Sequence, residues 1–193
     1  MWVGKGGNNS RNKQAKPPKM VAFYIMYKLV LFFKRVQLGY FIYTKKIKRT
    51  LKISEQVIKR YPDSVIGYYA KSVALLQSQS FKRAILMFEE TICMINKIGN
   101  SQDKVLYLSD SYSKMGRAYY ELQNYEKAIL HYDKSIDIDP DSDWHAYFYR
   151  ASAKFKKQLY QEALDDFYKV LDFKKYQQET LENIRVVKER MSE

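Results

Sequence analysis

The 193-residue chain carries a net charge of +13, held unevenly: residues 1–60 contain fifteen Lys or Arg against one acid, Glu55, and residues 61–193 contain nineteen basic and twenty acidic side chains. The second stretch is near neutral with mixed signs, an ordinary soluble surface, so nucleic-acid recognition, which needs a basic stripe on the folded module, is not expected. The lone Cys93 excludes an intramolecular disulfide and points to a reducing compartment, so a cytoplasmic location is expected.

Residues 1–19, with Gly4, Gly6, Gly7, Asn8, Asn9, Pro17 and Pro18, have almost no apolar content and are expected to be disordered. Residues 20–43 reverse this composition and have the length of a bilayer span. Lys28, Lys34, Arg35 and Gln37 interrupt the run, however, and a Lys or Arg near the centre of a span costs ~3 kcal/mol. The apolar and basic segment 20–64 reads instead as a degenerate copy of a unit found three times downstream, its second helix carrying Leu51, Ile53, Val57 and Ile58. The alternatives are contact with an anionic membrane through residues 20–60, an organellar targeting role, or absence from the mature protein.

From residue 65 onward the chain repeats itself. Ser72, Gly116 and Ala151 are each followed by an aromatic nine residues on (Phe81, Tyr125, Tyr160), an alanine twelve on (Ala84, Ala128, Ala163) and an aromatic sixteen on (Phe88, Tyr132, Phe167). Small and aromatic residues at fixed offsets are the mark of a stacked helical repeat. In the central copy Tyr112, Met115, Ala118, Tyr119 and Leu122 form one apolar helical face. A break is predicted at Gln123–Asn124, and a second helix carries Tyr125, Ala128, Ile129, Tyr132, Ile136 and Ile138 before stopping at Asp139–Pro140. Gly inside a helix costs ~1 kcal/mol relative to Ala, so Gly116 needs a packing reason, and close approach of the paired helix supplies one.

The first two copies stand 44 residues apart, with a break at Gly99–Asn100, which predicts longer helices on either side of it. Within the first copy, Cys93 among Ile92, Met94 and Ile95 reads as a small buried apolar residue. After the third copy, Leu181, Ile184, Val187 and Met191 recur by three and four. A helix over 178–193 would cap the apolar end of the array.

These residues resemble the tetratricopeptide repeat family, a helix-turn-helix unit of 34 residues. Residues 109–142 meet its pattern at Tyr112, Met115, Gly116, Tyr119, Ala128, Tyr132, Ser135 and Pro140. Residues 65–98 keep Tyr68, Ala84, Phe88 and Thr91; residues 144–177 keep Tyr147, Ala151, Ala163 and Phe167 but put Arg150 and Lys154 at apolar places. The resemblance implies an all-α fold, an α-solenoid of stacked helix-turn-helix repeats with a C-terminal capping helix.

It also implies a non-catalytic interaction module or scaffold that binds a partner protein or peptide on its concave face, which the first helix of each unit lines. Carried over, that face holds Tyr69, Val73, Leu76 and Gln77; then Asp110, Ser113, Arg117, Tyr120 and Glu121; then His145, Phe148, Ser152, Phe155 and Lys156. Aromatics and arginine in a concavity are residue types that carry binding energy. A subfamily that clamps acidic chaperone tails uses paired asparagines and several bases. Tyr69, Val73, Lys114, His145 and Tyr149 stand there in one frame and Arg35, Gly39, Ala70, Asp110 and Lys114 in another, so that clamp is disfavoured.

Other chemistry finds no support in the residues. No phosphate loop, nucleophile elbow or paired-carboxylate arrangement occurs, so neither catalysis nor a cofactor is expected. His131 and His145 lack a partner at metal spacing and read as surface or turn residues. Asp137, Asp139, Asp141 and Asp143 alternate as calcium-loop ligands do, but Ser142 and Phe148 stand where such a loop needs glycine and a bidentate acid. They read as helix-ending acids, with Asp141 or Asp143 capping the next helix.

Overall fold

Four corners of the chain close in the same way. Lys45, Gln79, Gln123 and Gln158 each take a left-handed backbone conformation, with φ of 51°, 59°, 58° and 63°. At each corner two backbone bonds turn back onto the preceding helix: Lys46 N–H to Phe41 O, Ser80 to Leu75, Asn124 to Tyr119 and Leu159 to Lys154, flanked by Lys45 to Ile42, Gln79 to Leu76, Gln123 to Tyr120 and Gln158 to Phe155, all between 2.9 and 3.1 Å. This nested pair is the Schellman closure of a helix end. Each corner joins two consecutive helices, and at the third Asn124 begins the next helix by accepting the Lys127 N–H at 3.2 Å.

The computed structural model describes residues 18–97, 102–141, 144–173 and 177–193, with side chains from Tyr24 onward except at Gln102. Among these residues it holds nine α-helices and no strand: α1 (Pro18–Tyr43), α2 (Ile47–Arg60), α3 (Val65–Gln77), α4 (Phe81–Lys97), α5 (Gln102–Glu121), α6 (Tyr125–Ile138), α7 (Trp144–Lys156), α8 (Tyr160–Asp172) and α9 (Gln177–Met191). The chain divides into two compact units, Met1–Val36 and Gln37–Glu193. Of residues 1–19, expected to be disordered, 1–17 lie outside the described residues, as do Gly99–Asn100 and Asp143, on which a helix break and a cap were expected; Pro18 and Lys19 instead begin α1.

Within Gln37–Glu193 each helix packs on the next, from α2 against α3 to α8 against α9. Phe88, Tyr132 and Phe167 are buried at 0–2% exposure, as are Ala84, Ala128 and Ala163 at 0%. Full burial of one such aromatic contributes about 1.5–3 kcal/mol. Small residues let the paired helices approach. A Cβ on Gly116 would stand 2.8 Å from Cε1 of Tyr132, and one on Gly67 would stand 2.9 Å from Cγ1 of Ile58.

The extra residues between the first two copies lengthen α4 to 17 and α5 to 20 residues. Their added turns fold back onto the array: Tyr107 and Leu108 pack on a cluster of Val65, Met94 and Ile95. Cys93, expected to be buried, is exposed. The buried side of α4 follows Ala84, Phe88, Thr91 and Ile95, and Cys93 falls off it. The terminal helix α9 is likewise turned from its expected stripe. Thr180, Ile184 and Val187 are buried, whereas Leu181 and Met191 stand 54% and 47% exposed.

The two charged residues at apolar repeat places are explained by their partners. Arg150 grips Asp166 with two bonds, Nε to Oδ2 at 2.8 Å and the terminal nitrogen to Oδ1 at 2.6 Å, and reaches Asp133 on α6 at 2.6 Å. Lys154 stands 3.0 Å from the same Asp166, whose side chain is only 6% exposed. A buried carboxylate is retained here because two cations surround it.

Candidate functional site: the face of α3, α5 and α7

Helix α5 touches both α3 and α7, so the first helices of the three hairpins lie side by side. The residues expected on this face meet different fates. Val73 and Leu76, at 3% and 7% exposure, belong to the core beneath it and offer no surface to a partner. Both lie on the side of α3 that packs against Ala84, Ile85 and Phe88 of α4. Tyr69 is half-buried and donates its hydroxyl hydrogen to Asp110, which also accepts from Lys114 at 2.7 Å. Burial and the Asp110 charge raise the Tyr69 pKa well above the ordinary tyrosine value, so it stays a neutral donor. Gln77 donates to the Ile42 carbonyl at 3.0 Å, and Ser113 is buried.

The α5–α7 half of the face is more open. Arg117 is exposed, 3.9 Å from Glu121, with its guanidinium 5.8 Å from the Tyr149 ring centroid. Tyr120 is half-buried against Tyr125 at 5.5 Å and Tyr149 at 6.3 Å. Phe148 meets Phe167 edge-on at 5.7 Å, and Phe155 meets Tyr160 at 5.8 Å. Ser152 donates to the Phe148 carbonyl at 2.9 Å. His145 is exposed and stacks on Trp144.

Where this half meets α9 there is a cavity of about 180 Å³, lined by Tyr120, Ser152, Phe155, Lys156, Phe167, Asn183, Val186 and Val187. Four expected residues (Tyr120, Ser152, Phe155 and Lys156) converge there; Tyr69, Asp110 and Lys114 form a separate polar cluster on the α3–α5 half. Sequence reasoning missed the wall supplied by Asn183 and Val186, because a capping helix was read only for its buried stripe. It also missed Tyr149, which stacks on Tyr132 at 6.3 Å and bridges Tyr120 to Phe148. Among the described residues, Lys156 enters no salt bridge, and no group of three His, Cys, Asp or Glu side chains is placed to hold a metal.

His131, expected at the surface, is instead half-buried between two tyrosines, with centroids 5.1 Å from Tyr119 and 6.0 Å from Tyr112. Its Nδ1 is buried and makes no hydrogen bond among the described residues. Burial, with Lys134 and Lys127 adding to it, pushes its pKa down to about 4 from the ordinary 6.5. The unfolded chain therefore binds a proton that the folded chain refuses between those values. The neutral ring's contribution is complete above pH 6.5 and is lost as pH falls toward 4. After discounting for the solvent-facing part of the ring, that loss is expected to be about 1–2 kcal/mol. Thermal melts of wild type and His131→Phe across that range should diverge at low pH, with the wild type falling further.

The helix hairpins, their shared corners and the aromatic-against-small packing define an α-solenoid repeat protein. The profile of the tetratricopeptide repeat matches residues 109–142. Over 122 residues the chain is 30% identical to a TPR repeat-containing protein of Methanocaldococcus jannaschii, a match spanning 63% of this chain and 19% of that protein. Among solved structures, a double mutant of MamA (RS-1) superposes with a TM-score of 0.67 at 12% identity, covering 82% of this chain and 83% of that one. YrrB, described as a TPR protein with an unusual peptide-binding site, superposes with a TM-score of 0.62 at 15% identity, covering 80% and 74%. Residues 109–142 are thus a tetratricopeptide repeat, set within an array of TPR-like helix hairpins.

Proposed function

We propose that this protein is an interaction scaffold whose α5–α7 face, closed at one end by α9, seats an extended or helical segment of a partner protein. The observation that carries this reading is the cavity beside Tyr120, Phe155 and Lys156. At about 180 Å³ it is smaller than the ~300–1,000 Å³ of small-molecule sites, a size suited to one or two side chains of a larger ligand. Its aromatic lining favours an apolar anchor, and Lys156, without a salt bridge among the described residues, favours an acidic neighbour beside that anchor. YrrB, of the same fold, carries a peptide-binding site by its own description. A reducing compartment such as the cytoplasm suits a chain with the single Cys93.

The residues of α1 from Gln37 onward and α2 act, in this reading, as a fourth and degenerate repeat that extends the array. Lys45 stands 34 residues before Gln79, and Thr50, at 0% exposure, keeps the same distance from its corner as Ala84, Ala128 and Ala163 from theirs. The size pattern is inverted there. Leu38 occupies the small place of Gly116, and Ser54 the aromatic place of Tyr132, both buried. Such an exchange keeps total volume, and it explains why the copy is faint in sequence.

The test is selection of peptides from a displayed library on the full chain. Selected peptides are expected to carry an apolar residue next to Asp or Glu. Lys156→Glu is expected to weaken them with the melting temperature unchanged, and Phe155→Ala combined with it about tenfold. The pair should also lower the melting temperature, because the Phe155 ring packs on the core of Ala151, Leu164 and Phe167. Binding that is indifferent to that pair of changes overturns the assignment.

A further inference from the structure

We infer that residues 24–36 form a lipid-binding helix that lies along an anionic membrane surface without crossing it. Within this stretch of α1 apolar residues run most of the way round, Tyr24, Val30 and Leu31 included. The most continuous row is on one side, where Ile25, Leu29, Phe32 and Val36 succeed one another by four, three and four. Met26 and Phe33 widen that side. The six residues of that side are more than half exposed, from 51% at Leu29 to 66% at Phe33. A contiguous apolar surface of this kind marks a binding surface, whereas singly scattered apolar residues would not.

The charges are arranged to match. At about 100° per residue, Lys28 and Arg35 follow one border of the apolar side, and Lys34 lies beyond the other. Long cationic side chains at the borders of an apolar face reach headgroups while the face enters the acyl boundary. The first 36 residues hold eight Lys or Arg and no acid, so the attraction is to anions alone. Among the described residues no helix is long and apolar enough to cross a bilayer.

Two other occupants fit less well. A nucleic acid would satisfy the cations and leave Ile25, Leu29, Phe32 and Val36 facing phosphate and water. A second copy of the chain would bring two uniformly positive segments together with no acid between them. An anionic lipid surface complements both the apolar side and its borders. This inference is independent of the peptide face, since it uses none of its residues.

The experiment uses the full chain and sedimented vesicles of phosphatidylcholine, with or without about a third phosphatidylserine. Binding to the anionic vesicles is expected to be at least ~tenfold tighter than to the neutral ones, and to weaken as salt rises to ~0.5 M. Phe32→Ser with Phe33→Ser, and separately Lys28→Gln with Lys34→Gln and Arg35→Gln, are each expected to reduce it at least ~tenfold. A Phe33→Trp reporter quenched by brominated lipid checks insertion directly, without relying on the loss variants folding. Phe155→Ala should bind vesicles as wild type does, which separates this result from any failure of the peptide face.

The proposal is overturned by equal binding to both vesicle types, by an unquenched reporter, or by unchanged binding of the Phe32/Phe33 variant. Membrane retention through alkaline carbonate extraction would indicate a span and overturn it as well. So would a single-stranded oligonucleotide that binds the Phe32/Phe33 variant and wild type alike and displaces the vesicles.

Discussion

Gly116→Leu is expected to destabilise the protein by about 3 kcal/mol or more, at the upper end of what overpacking costs. The ring of Tyr132 already stands where the first added carbon would go, 2.8 Å away at Cε1 and 2.9 Å at Cδ1. That ring is fully buried and is stacked on Tyr149, so it has no solvent-side space to swing into. Helix propensity works in the opposite direction: a non-glycine residue in mid-helix gains up to ~1 kcal/mol. Gly116→Ala therefore sets a gain against a clash and should lie between wild type and leucine. In a chain of this size ~3 kcal/mol corresponds to roughly 6–12 °C in Tm. Urea or thermal unfolding of the three proteins checks the order, and a leucine variant that melts with wild type would refute the packing account.

The second large effect concerns Arg150. Removing the guanidinium in Arg150→Met leaves Asp166, 6% exposed, with Lys154 as its remaining ion-pair partner among the described residues. Breaking a buried pair by deleting one member costs about 3–5 kcal/mol, because the other charge stays uncompensated. The loss should fall toward the low end, since Lys154 at 3.0 Å still neutralises part of it. Methionine is the residue at the corresponding place of the central repeat, Met115, so a drop would show that the third repeat has replaced apolar packing with charge. In a double-mutant cycle with Asp166→Asn, a coupling of ~1.5 kcal/mol or more is expected. Strict additivity would mean that the contact is present but contributes little.

The repeat was legible because its defining residues face each other across a narrow gap, where size is the only requirement. Gly116 with Tyr132 is read from spacing alone, and both the corner at Gln123–Asn124 and the stop before Pro140 follow from it. What stayed hidden depends on how far a helix is rotated. Tyr69 stays half-buried while Val73 and Leu76 go under, because α4 sets the buried side of α3 with Ala84, Ile85 and Phe88. Cys93, Leu181 and His131 were each misplaced by a fraction of a turn. Gly67 was overlooked because its reason for being small lies on another element, where Ile58 of α2 fills the space. The cavity was only half readable, since Asn183 and Val186 come from a helix that no repeat pattern describes.

The corners carry one more implication. Lys45, Gln79, Gln123 and Gln158 hold a backbone shape that costs a side-chain-bearing residue about 1–2 kcal/mol, and none of them is glycine. The two backbone bonds at each corner favour the bend locally without removing that cost, and neighbouring hairpins complete it by clamping both arms. An excised single unit would lose that clamp and open, so from Gln37 onward the segments depend on company to hold their form, and the array should melt as a block instead of shedding one module at a time.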